Sequence, residues 1–131
     1  MSHEGYHESA DLLPEATKDF HRAIVSLIEE LEAVDWYQQR ADATKEESLR
    51  AVLLHNRNEE LEHAMMTLEW LRRRDAKIDE TARMFLFAEG EITEIEATKK
   101  AANGTASGGA TATPPSPSSP STLGIGSLRS R

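Results

Sequence analysis

Two long helix-forming runs dominate the chain, and the apolar seam of each turns polar near its middle. The first begins at Pro14, a residue suited to a first helical turn, and continues unbroken to about Ala43. Alternating steps of three and four residues along it pick out Phe20, Ala23, Leu27, Glu30, Val34, Tyr37 and Ala41, with Ile24 and Leu31 widening the stripe. On the second run, about Lys45 to Arg74, the same steps give Leu49, Leu53, Asn56, Glu60, His63, Thr67 and Trp70. A packed hairpin would fill the middle of that row with Leu or Ile, because burying a carboxylate without a partner costs roughly several kcal/mol. Glu30, Glu60 and His63 therefore require something to satisfy them.

The spacing predicts an all-α chain. Thr44 and Glu47 have the Thr-x-x-Glu pattern of a capping box, where a tight connection would start the second helix antiparallel to the first. Arg72, Arg73 and Arg74 sit where cations favour the negative end of a helix dipole. A shorter apolar segment, Thr81 to Ala88, then leads through Gly90 to a second capping box at Thr93 and Glu96 and a short helix ending near Lys100. Residues 1–12 are expected to be frayed, and 13–100 to be the helical unit. Residues 101–122 contain no Val, Ile, Leu, Met or aromatic residue and cannot offset the entropy of ordering, so a flexible linker is expected, with a reach of about 25 Å. Aliphatic residues return in the last segment, 123–131, at Leu123, Ile125 and Leu128.

A two-helix hairpin of this composition, 5% aromatic and without Cys, buries too little apolar surface to stand alone and can form no disulfide. A metal or a second copy is the remaining support. The formal charge is −8, and because Arg129 and Arg131 are the only charged residues beyond 100, the helical part carries −10. Such a field disfavours nucleic acid and anionic membrane and attracts metal cations. The polar first ten residues offer neither a secretory signal nor a membrane span, and the expected location is the cytoplasm.

Glu60 and His63 lie one helical turn apart, opposite a helix whose inward row holds Glu30. Carboxylate-bridged two-metal bundles take a Glu from each of two helices and a Glu-x-x-His pair from each of two others, so this chain holds half a di-iron set and a second copy would supply the rest. Oxygen-rich ligands with one imidazole per metal suit iron or manganese, and the lack of Cys argues against a structural zinc. A core ion pair of Glu60 with Arg57, or a contact with Asn56, would explain Glu60 but leave Glu30 and His63 idle. Glu29, Glu32 and Trp36 fall on another face of the first helix, as a solvated acidic edge or as a feeder for metal moving to Glu30. Tyr37, two turns from Glu30, is a hydrogen-bond donor, a redox participant or a seam residue. Met65 and Met66 read as packing, and His55 with Glu59 as an isolated surface pair.

The segments Ile28-Glu29-Glu30-Leu31-Glu32-Ala33-Val34-Asp35-Trp36-Tyr37 and His55-Asn56-Arg57-Asn58-Glu59-Glu60-Leu61-Glu62-His63, continuing to Leu71, closely resemble those of the encapsulated ferritins of bacteria. The resemblance covers roughly residues 12–98, and the run Leu123 to Arg129 resembles a cargo-loading peptide of encapsulin nanocompartments. It implies a hairpin that becomes a ferritin-like four-helix bundle on homodimerising, with five dimers in a ring-shaped decamer inside an encapsulin shell in the bacterial cytoplasm. It further implies that Glu30, Glu60 and His63 are ferroxidase ligands with Tyr37 close by, that Glu29 and Glu32 with Trp36 form a metal uptake site, and that Leu123, Ile125 and Leu128 bind the shell. The expected activity is oxidation of Fe(II) by dioxygen. The rival expectation is a scaffold whose metal holds the oligomer together without catalysis.

Overall fold

A computed structural model of the chain describes residues 5–104. Among these the structure is all helix, with no strand: a 3-10 turn at Ala10–Leu12, then α1 (Glu15–Ala43), α2 (Glu47–Arg74), α3 (Ala76–Phe85) and α4 (Ile92–Gly104). The linker beyond Gly104 and the shell-binding candidates Leu123, Ile125 and Leu128 lie outside the described residues. Within the stretch expected to be frayed, the chain makes the 3-10 turn and sets the Tyr6 ring 5.0 Å from His21 on α1.

α1 and α2 pack along their length, joined by only three residues, 44–46, so they run antiparallel. The capping differs from the expected box. Thr44 ends α1, its Oγ1 accepting from the Glu46 N–H at 3.2 Å, while Glu46 starts α2 and accepts from the N–H groups of Ser48 and Leu49 at 3.0 and 2.6 Å. The short connection places Glu46 two residues beyond the expected cap. Arg50 closes the turn by donating to the Ala41 and Thr44 carbonyls, which have no partner within α1.

The third helix also starts earlier than the apolar pattern suggested. Asp75 caps it, accepting from Lys77 N and Ile78 N at 2.9 Å each, and the helix ends at Phe85, leaving Leu86 and Phe87 beyond it. α4 starts at Ile92, so Thr93 lies inside its first turn and not at the cap, and it extends past Lys100. α3 packs on α2, and α4 on α3. Arg72 ties the α2–α3 corner by gripping Glu69 and Asp79, while Arg74 lies over the Trp70 ring at 4.7 Å.

Almost nothing in this hairpin is fully enclosed. Among the described residues, the buried apolar ones are Ala41, Ala64 and Leu71 of the hairpin and Ile95 of α4. The α2 line against α1 runs through Ala64 and Leu71, one position past His63 and Trp70. The row read from the sequence therefore lies at the edge of the helix contact, and Leu49 (46% exposed) and Trp70 (36%) face outward. With Val52 and Met66, also exposed, they make two apolar pairs, Leu49 with Val52 and Met66 with Trp70, that flank the polar middle of α2 and leave apolar area for a neighbour to cover.

Candidate metal centre

The antiparallel register sets the middle of α1 beside the middle of α2, and three side chains converge there. Glu30 comes from α1, and Glu60 and His63 from successive turns of α2. One potential donor atom from each lies within 4.8 Å of the other two. His63 Nδ1 is 3.5 Å from a Glu60 oxygen and 3.8 Å from a Glu30 oxygen. The side chains of Glu30 and Glu60 are 28% and 25% exposed and that of His63 is 49% exposed, so the trio opens on a flank of the hairpin.

The two carboxylates lie close enough to be joined by a hydrogen bond when one of them carries a proton. A hydrogen bond with Glu60, then desolvation, holds the Glu30 carboxyl above its ordinary range, while the hydrogen bond from Glu30 holds Glu60 below its own. A divalent cation would satisfy both carboxylates without that proton. Two oxygen donors and one imidazole suit iron, but they are too few to complete its coordination shell. They equal half of what a two-metal carboxylate centre uses.

The competing ion pair does not form. Arg57 Nη1 donates to Asn58 Oδ1 at 2.9 Å, and its Nε is buried without a hydrogen-bond partner. Tyr37 is half-buried, with the Arg40 guanidinium 5.5 Å over its ring. Glu29, Glu32 and Trp36 stay apart from the trio on α1, Glu29 exposed, Glu32 half-buried and Trp36 51% exposed. His55 and Glu59 form an exposed pair at 3.7 Å. The clamp of Arg50 was not anticipated, since it reads in sequence as an ordinary surface cation; Arg57, expected as the competing partner of Glu60, is half-buried and turned to Asn58.

Residues 5–89, which contain the hairpin and all of the trio, match the EncFtn-like family. The chain belongs to the EncFtn-like family. It is 55% identical over 129 residues to an encapsulated ferritin-like protein of Rhodospirillum rubrum, covering 98% of this chain and 91% of that one. It is 54% identical over 91 residues to a ferritin-like protein of Thermotoga maritima, covering 70% of this chain and 80% of the relative. Among solved structures, a protein of Nitrosomonas europaea superposes with a TM-score of 0.65 at 52% identity, covering 67% of this EncFtn-like chain and 97% of that structure.

Proposed function

We propose that this protein is a ferroxidase whose two-iron site is completed when two copies pair across a two-fold axis. The observation that carries the reading is the convergence of Glu30, Glu60 and His63 within 4.8 Å on an open flank. Each Fe(II) is held by a Glu30 and a His63, while the two Glu60 carboxylates bridge. Iron is the substrate. Hard anionic oxygen donors favour the higher charge of Fe(III) over Fe(II), and holding two ions together lets dioxygen take one electron from each. The half-exposed donors and the exposed apolar residues Leu49, Val52, Met66 and Trp70 support a paired state, because both would be covered by a second hairpin.

Glu29 and Glu32, with Trp36, supply the approach for Fe(II), and Tyr37 acts beside the centre. The product passes to a mineral stored in the lumen of an encapsulin shell, which the chain enters through Leu123, Ile125 and Leu128. The name of the Rhodospirillum rubrum relative, an encapsulated ferritin-like protein, supports this location. So does the absence, among the described residues, of any helix long and apolar enough to cross a membrane. Five dimers in a ring are the proposed assembly.

Adding Fe(II) to anaerobically prepared protein and then admitting oxygen tests the reading. The wild type should consume dioxygen, and Glu30→Ala, which leaves the Glu60–His63 turn in place, should not. The scaffold alternative has its own support in the thin core, which a bound ion would strengthen. It predicts a metal-dependent change in size with no oxygen uptake.

A further inference from the structure

His63 engages only one of its two ring nitrogens within the chain. Nδ1 faces the Glu60 and Glu30 oxygens, whereas Nε2 makes no hydrogen bond among the described residues. An imidazole that ligates a metal nearly always donates its other N–H to an oxygen, which fixes the tautomer and the plane of the ring. Two turns earlier on α2, Asn56 is half-buried, and its carboxamide makes no hydrogen bond among the described residues either.

Leu49, Asn56, His63 and Trp70 stand at seven-residue steps and so form one line along α2. The adjoining line faces α1, since it holds the buried Ala64 and Leu71 and also Arg50, which donates to the Ala41 carbonyl. The line of Asn56 and His63 is therefore turned toward whatever covers the flank. A two-fold axis crossing α2 at right angles makes two copies of the helix antiparallel and matches positions equally far before and after the axis. Leu49 with Trp70 and Asn56 with His63 are both centred between residues 59 and 60, the level of the Glu60 carboxylates. One register thus lays the apolar ends of the line on each other and sets each carboxamide against the other copy's imidazole.

We propose that Asn56 is a positioning residue of the metal centre, with Oδ1 of each copy accepting the Nε2–H of the other copy's His63. Within one chain the two side chains are two helical turns apart, roughly 10 Å, so the contact forms only between copies. Holding the proton on Nε2 keeps the Nδ1 lone pair on the side of the carboxylates, where the ion binds. An amide also suits a crowded site. Its neutral oxygen orients the ring, while another carboxylate would add repulsion to the Glu30 and Glu60 groups that the pair already gathers. The inference rests on the two-fold pairing proposed above and adds to it a contact that neither hairpin makes alone.

The test is Asn56→Leu in the full chain, which keeps the size of the side chain and removes the acceptor. In the cobalt(II)-loaded wild type the His63 Nε2–H should give a hyperfine-shifted proton resonance that exchanges slowly with water, and in the variant it should exchange at least about tenfold faster. Cobalt(II) affinity in anaerobic calorimetry should fall about 10- to 100-fold, with the fraction of paired chains in native mass spectrometry unchanged. Asn56→Asp, which retains an acceptor oxygen, should recover most of the affinity. Wild-type exchange and affinity in Asn56→Leu would overturn the proposal, as would an equal loss in Asn56→Asp or a loss that merely follows loss of pairing. Oxygen uptake that Glu30→Ala abolishes but Asn56→Leu leaves at the wild-type rate, with cobalt(II) affinity also unchanged, would refute the contact and leave the ferroxidase reading standing. Absence of uptake by the wild type would refute that reading instead, and the exchange and affinity comparisons would still decide the contact.

Discussion

His63 Nδ1 stands 3.5 Å from a Glu60 oxygen and 3.8 Å from a Glu30 oxygen, and on the proposed reading all three are ligands of one ion. His63→Ala should lower cobalt(II) affinity at least about tenfold, read by anaerobic calorimetry, since a lost ligand costs no less than a lost supporting contact. The same titration should weaken as pH falls through the carboxylate range, because the Glu30 carboxyl is held above its ordinary value by the Glu60 hydrogen bond and reprotonates first. These three residues were legible in the sequence because a polar group in an apolar row lacks a bland explanation. The orientation of Arg57 was not, because the spacing of Arg57 and Glu60 allows a pair on the helix surface but does not say that the guanidinium turns to Asn58 instead. Arg50 escaped notice because its bonds to the Ala41 and Thr44 carbonyls depend on the shape of a three-residue turn.

The two long helices were readable as elements because their apolar periodicity runs for many turns without glycine or proline. Their exposed faces were not. Periodicity identifies a stripe but not which side of it meets the helix of the same chain, and so Leu49 and Trp70 face outward. Caps were misplaced where competing polar residues stood close together, as Thr44, Glu46 and Glu47 do. Glu46→Ala should cost about 1 kcal/mol in chemical denaturation by leaving two N–H groups of α2 without their acceptor. At the α2–α3 corner, hydrogen bonds from Arg72 and then Arg73 lower the Glu69 carboxyl to about 2. A carboxylate with a lower pKa in the folded state stabilises above its unfolded value near 4.5 and loses that contribution as pH falls toward about 2. Protection factors of the α3 amides, corrected for the intrinsic exchange rate, should therefore fall over that window, and Glu69→Gln should reduce the dependence, leaving the part that Asp79 contributes. Unchanged α3 protection from pH 5 to pH 2 in the wild type would contradict this role.

On the scale of the whole molecule, the isolated chain pairs a very small core with exposed apolar residues toward both ends of α2 and three converging donor side chains. On the proposed reading one remedy serves all of these, a second hairpin laid over the flank that carries His63. Linkage then requires that an ion bound only by the folded pair raise the melting temperature with metal concentration, and that chelation lower it. The expectation of a neighbour rests on composition, whereas the position of α3 required the corner geometry. The most direct test of the central claim is oxygen uptake after Fe(II) addition, measured on fractions separated by mass. The account predicts uptake by dimers and larger species and none by monomers; monomers that oxidise iron at the same rate per chain would contradict it.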